Sequence, residues 1–311
     1  MSAAVQLCNA CPRRCNAARP FSAAGEKNFP GVCHSPYSIM IARAGLHFWE
    51  EPVISGENGS GTIFFAGCNL HCVYCQNHEI STGVCGKEFT PEEFRNICFR
   101  LIDRGAHNIN LVTPGHYVHA IAPVLQDKLP VPVVYNSNGY ELPETLQLME
   151  NKVDIFLPDL KYADNAIAQK YSNAKDYFEV AAAAIREMYR QTGSFVIGDD
   201  GMMKKGVIIR HLILPGQLEN TLRVIEFVAK NFRPGEILFS LMRQYLPCGL
   251  VSDEQFPELN RRINDFEYET AEAALFASGI EDGFVQDADS AVKDFIPDFI
   301  DGGSDDAALQ L

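Results

Sequence analysis

Cys68, Cys72 and Cys75 stand in the run Gly-Cys-Asn-Leu-His-Cys-Val-Tyr-Cys-Gln-Asn as a C-x3-C-x2-C triplet. Three thiolates so spaced can hold three irons of an iron–sulfur cluster and leave one iron without a protein ligand. Clusters that only carry electrons are usually closed by four cysteines. An open iron can instead take up a small molecule through an amino and a carboxylate group. The resulting chemistry belongs to the cofactor, which the protein positions. The plainer reading is a set of unliganded core thiols, and it suits Cys98, which sits on an apolar helical stripe.

A second group, Cys8-x2-Cys11-x3-Cys15 followed by Cys33, lies in a segment too short to build its own core. A metal would hold such a module together. Structural zinc, a second iron–sulfur cluster and unliganded thiols all remain open for it. Cys85 and Cys248 have no partner at ligand spacing and read as packing thiols, with Cys248 following the sixth strand near the site mouth.

The chain of 311 residues starts without a basic, apolar leader, and no run nears the roughly 18 apolar residues of a membrane helix. Reduced thiols and a cytoplasmic location are therefore expected, with no membrane partner. Of the net charge of −14, residues 253–311 account for nearly all, with 16 acidic and 3 basic side chains. Such an end repels phosphate backbones, which excludes nucleic acid as an expected partner. The stretch 301–308 reads as a disordered tail.

These cysteines need a frame. Gly61–Ala66 is a short apolar run placed directly before the triplet. Further strand-like runs occur at Ile109–Val112, Val133–Tyr135, Ile155–Leu157, Val207–Leu214 and Ile237–Leu241. Helical segments lie between most of them, such as Phe178–Gln191 and Leu222–Asn231, and Ile197–Gly206 reads as a surface loop. Thr90-Pro91-Glu92-Glu93 carries a helix start, with a capping threonine, proline at N1 and glutamate at N3. The alternation predicts an α/β fold: a parallel sheet curved into a partial (β/α)6 barrel, with chemistry at the C-terminal strand ends. Residues 1–60 are expected to form a small cysteine-rich module, 61–250 the barrel, and 251–311 a C-terminal extension with a helix over Pro257–Ser278 and an acidic tail.

The triplet, its embedded Tyr74 and the preceding strand resemble the radical SAM superfamily. The order of Cys8–Cys33, Gly59–Asn77, Asn110–Tyr117, Tyr135–Glu141, Asp154–Tyr162, Ile208–Gly216 and Leu241–Pro247 is similar to its pyruvate formate-lyase activating enzyme-like branch. That resemblance implies a [4Fe–4S] cluster on Cys68, Cys72 and Cys75, with S-adenosylmethionine (SAM) on the open iron and Tyr74 beside the adenine. Asp159-Leu160-Lys161 matches a motif reaching the SAM end of the site, where the ammonium of Lys161 can face a carboxylate. Thr113-Pro114-Gly115-His116 stands where relatives carry Gly-Gly-Glu, leaving Thr113 to accept from the SAM amino group and His116 or His119 as acid–base or loop histidines. Asn136-Ser137-Asn138-Gly139 replaces an Asp-Thr-Asn-Gly, with Ser137 and Asn138 toward the ribose. Arg210 and His211 alternate across the fifth strand, and Arg210 is expected inside.

The resemblance implies reductive cleavage of SAM and hydrogen abstraction, with a ferredoxin or flavodoxin-like electron donor. The substrate is a glycine of a partner protein, as the activating enzymes use, or alternatively a small molecule or protein side chain. An electron-transfer protein without SAM chemistry is the rival from another class, and it needs a fourth cysteine near the triplet.

Overall fold

The computed structural model of the protein describes residues 5–23, 28–82 and 85–286. The acidic stretch from 287 onward, including the expected tail, lies outside the described residues. The six apolar runs become strands β1 (Ser60–Phe65), β2 (Ile109–Val112), β3 (Val133–Ser137), β4 (Ile155–Pro158), β5 (Met203–Leu212) and β6 (Leu238–Met242). From β2 onward each pairs in parallel with its predecessor. Helices Pro91–Asp103, Val118–Val124, Tyr177–Thr192 and Leu218–Asn231 connect them. The capping box at Thr90 and Glu93 forms as the sequence predicts. No described helix is long and apolar enough to cross a membrane.

Four expectations about boundaries and elements are corrected. Ile39–His47, assigned by sequence to the separate module, is a strand antiparallel to β1, so the sheet begins inside residues 1–60. Its register shifts between Ile41 and Arg43, and such a bulge breaks the period-two pattern that would have marked it. The C-terminal helix covers only Asp265–Ala277, because Asn264 and Glu267 form a capping box that starts it there. Past residue 250, Gly283–Val285 adds a strand parallel to β6, too short to show periodicity. The loop Ile197–Gly206 is a hairpin, with Val196–Ile197 antiparallel to the start of β5.

Side chains alternate across the strands, so every second residue faces the barrel interior. At the bottom, Val134, Ile155, Leu157, Ile208 and Leu238 pack on Ile54, which enters from the short helical turn Pro52–Ser55. Two residues further along their strands the inward positions turn polar, at Asn136, Asp159, Arg210 and Ser240. Two further on come Asn138, Lys161, Leu212 and Met242, which reach the upper cavity. The outward neighbours Tyr135, Phe156, Ile209 and Leu241 join the core shared with the helices. The same alternation sends Arg210 inward and His211 outward, where its ring meets the carbonyl of Leu160 and the hydroxyl of Thr221.

Candidate active site

The triplet follows β1 at the C-terminal end of the sheet. Gly67, at φ +82, lets the chain pass there, since a Cβ would stand 2.1 Å from Ser35 Oγ and 2.4 Å from the Cys33 carbonyl. Cys68, Cys72 and Cys75 all line one cavity of about 460 Å³. Cys68 Sγ accepts from the Leu70 N–H and from Asn138 Nδ2, each at 3.4 Å. Cys72 Sγ accepts from the Ser172 hydroxyl at 3.2 Å. Burial pushes the Cys75 thiol up to about 12, with the neighbouring triplet thiols adding to it, and burial likewise raises Cys72. Buried thiols raised in this way give up their protons only to nearby positive charge, which iron would supply. The donor set thus fits a cluster held by three cysteines.

Tyr74 lines the same cavity, with its ring against Tyr171 and Tyr245 at 6.4 and 6.0 Å between centroids. Its hydroxyl donates to Tyr162, which shares a hydrogen bond with Ser172, so a buried hydroxyl relay ends on Cys72. Asn138, expected toward the ribose, lines the cavity and bonds its amide to Cys68 and Asn69. The Ser137 hydroxyl is committed to Glu141 at 2.9 Å. That carboxylate is buried behind the second-strand loop and its pKa is pushed up to about 7 by burial.

Thr113 holds φ +57, a left-handed conformation that strains a β-branched residue. It lines the cavity. Neither histidine of this loop reaches the cavity. His116 is buried against the Ala66 carbonyl, and His119 stacks on Tyr37 at 3.5 Å. Both rings are held neutral, at about 3 and about 4, by burial and by Arg19.

Lys161 Nζ meets Asp159 at 2.6 Å, and the other oxygen of Asp159 accepts from Arg210 Nε at 2.8 Å. Burial alone would raise the Asp159 carboxyl, but Arg210 and Lys161 together pull it below its usual range. Arg210 also donates to Asn136 at 2.7 Å and to Glu50 at 2.8 Å. Glu50 and its neighbour Glu51 line the cavity yet escaped the sequence reading. They follow the strand Ile39–His47, whose last residue pairs with the first of β1, and so enter at the end opposite the triplet.

The N-terminal segment is docked on this site. Arg13, between Cys11 and Cys15, donates to the carbonyls of Asn69 at 2.8 Å, Leu70 at 3.3 Å and Ser172 at 2.8 Å, and to that of Asn173. Cys8, Cys11 and Cys33 lie within electrostatic reach of one another around the buried Arg19, with Cys8 Sγ at 3.5 Å from its guanidinium. Cys15 is exposed. Among the described residues no three His, Cys, Asp or Glu side chains gather closely enough for a single metal ion. A cluster spreads its thiolates more widely than one tetrahedral ion does.

A β/α barrel with a three-cysteine loop at the end of its first strand is the arrangement of a SAM-binding iron–sulfur enzyme. Residues 62–228 match the radical SAM superfamily, and the chain belongs to it. An uncharacterized protein of Methanocaldococcus jannaschii is 32% identical over 280 residues, covering 86% of this chain and 73% of that one. A 7-carboxy-7-deazaguanine synthase of Methanothermobacter thermautotrophicus is 32% identical over 119 residues, 36% of this chain and 47% of that one. Among solved structures, Streptococcus suis SuiB bound to S-adenosylmethionine aligns with a TM-score of 0.48 at 11% identity, over 73% of this chain and 50% of that one. A spore photoproduct lyase variant with dinucleoside spore photoproduct aligns with a TM-score of 0.48 at 12% identity, over 71% and 74%. The chain spans about half the length of SuiB.

Proposed function

We propose that the protein cleaves SAM reductively and takes a hydrogen atom from a substrate held lower in the barrel. The observation that carries this reading is a single cavity running from Cys68, Cys72 and Cys75 to the polar layer of Asn136, Asp159, Arg210 and Ser240. A [4Fe–4S] cluster bound by the triplet would supply an electron to the sulfonium of SAM and so release a 5′-deoxyadenosyl radical. Asn138 and the Leu70 N–H steady Cys68, and the relay from Tyr74 steadies Cys72. Lys161, oriented by Asp159, is the cation available to the SAM carboxylate. A ferredoxin or flavodoxin-like protein is the proposed electron donor.

Of the two substrate classes, the polar layer supports a small molecule or a polar protein side chain. A glycine of a partner protein, the activating-enzyme reading, brings no side chain to meet Glu50, Glu51 and Arg210. Anaerobic reconstitution followed by dithionite and SAM, with 5′-deoxyadenosine measured, tests the cleavage step. Its absence from a protein with a full iron complement would reject the reading. Lys161→Ala should raise the SAM dissociation constant by roughly ten- to a hundredfold, the worth of one charge-assisted contact. Titrating SAM while following the cluster by paramagnetic resonance measures it, and unchanged affinity would move SAM away from this lysine.

The electron-carrier rival gains one candidate ligand. Cys248 lines the cavity and its thiol donates to the Tyr74 carbonyl at 3.1 Å, inside the triplet loop. Cys248→Ala should retain iron and SAM cleavage, because its thiol is spent on a backbone contact. Loss of the cluster in that variant would indicate a closed, four-cysteine site.

A further inference from the structure

The lower cavity holds more hydrogen-bond acceptors than donors. All three guanidinium nitrogens of Arg210 are engaged, by Asp159, Glu50 and Asn136. The side-chain amides of Asn110 and Asn136 both donate to Glu50 Oε1, at 3.1 and 3.2 Å. Lys161, one layer higher, is paired with Asp159. Two buried oxygens here have no donor among the described residues, Glu51 Oε2 and Asn110 Oδ1. Glu51 lines the cavity at 8% exposure, and its nearest cationic nitrogen, Arg210 Nη1, stands 4.0 Å away and is bonded to Glu50 instead. Three carboxylates, of Glu50, Glu51 and Asp159, thus face two cations.

We propose that this floor binds the primary ammonium group of an aliphatic amine substrate, with Glu51 as its counter-ion. The proposal rests on the reading that substrate lies in the barrel below SAM. An ammonium brings three N–H donors and one positive charge to a floor whose own donors, on Arg210, Asn110, Asn136 and the Ser240 hydroxyl beside Glu51, are already engaged. A carboxylate or phosphate would meet unpaired acceptors and an Arg210 whose three nitrogens are all engaged, and a buried charge without a partner is costly. His47, Trp49 and Phe284 line the adjoining wall and can take the carbon chain. Burial and the Glu50 carboxylate push the Glu51 carboxyl up against the opposing pull of Arg210.

Trp49 is the only tryptophan and lines this cavity, so its fluorescence reports on the floor. Reconstituted full-length protein loaded with SAM is titrated at constant ionic strength with n-butylammonium, n-butanol and butyrate. Saturable binding of butylammonium, about tenfold or more tighter than butanol, is expected, with none of butyrate. Glu51→Gln, which keeps the shape but offers an amide donor, should weaken butylammonium by a similar factor. Equal or tighter binding of butanol or butyrate would overturn the proposal. So would butylammonium binding to Glu51→Gln as well as to wild type, or saturation of the signal by sodium alone. If Glu51→Gln does not fold, the comparison of the three probes on wild type decides by itself. Deoxyadenosine formation by wild type is read separately: cleavage without amine binding sinks only this proposal, and amine binding without cleavage sinks only the radical reading.

Discussion

Cys68→Ala, Cys72→Ala and Cys75→Ala each leave the protein without SAM cleavage. The cluster has only three thiolates to hold it, and the cavity wall offers Cys248 only in a backbone hydrogen bond. Deoxyadenosine and iron content, measured after identical reconstitution, check the result against circular dichroism as a control for folding. Wild-type product from any single variant would place the reacting cluster elsewhere. The triple variant carries a second answer, because any metal it retains belongs to another site. About one zinc per chain would assign the Cys8–Cys33 segment a structural ion. About four irons with four sulfides would assign it a second cluster.

Arg210→Ala should be the most destabilising single change in the barrel. The guanidinium is buried and joins Asp159, Glu50 and Asn136 across three separate parts of the chain. Removing one partner of a buried ionic network costs about 3–5 kcal/mol, because it strands the opposite charges. A lower urea midpoint is the readout, and an unchanged midpoint would refute the network's role. Arg210→Lys should recover part of the loss, since one ammonium cannot reach three partners arranged for a planar fork. The pH dependence has a definite sign. The folded Asp159 carboxyl is held below its ordinary range, so the stability it contributes is present above that range and is lost as pH falls through the depressed value. In Arg210→Ala this acid-side loss should shift to higher pH and shrink.

The residues legible in sequence were those whose chemistry is local. The triplet is a spacing of seven consecutive positions plus one, and Asp159-Leu160-Lys161 is a run of three. The short apolar runs marked all six barrel strands, and alternation showed that only one of Arg210 and His211 could face inward. Glu50 and Glu51 were missed because their partners are distant in the chain: Arg210 lies 160 positions beyond Glu50. No local pattern distinguishes them from a solvated acidic pair. The strand Ile39–His47 was hidden by its bulge. Thr113 was legible only as a departure, for the left-handed backbone that makes it notable belongs to a residue type that rarely adopts it.

Arg13 ties residues 8–15 to the loop that carries Cys68, and it does so through the adjacent backbone carbonyls of Asn69 and Leu70, between Cys68 and Cys72. Coupling of this kind is reciprocal: if an ordered N-terminal segment tightens the hold on the cluster, then loading the cluster orders that segment by the same free energy. Under that coupling the two would behave as one thermodynamic unit, although Cys15 and Cys68 are 53 residues apart in sequence. Iron retention therefore becomes a gauge of whether the N-terminal segment is folded down, and proteolysis near Arg13 becomes a gauge of whether iron is present.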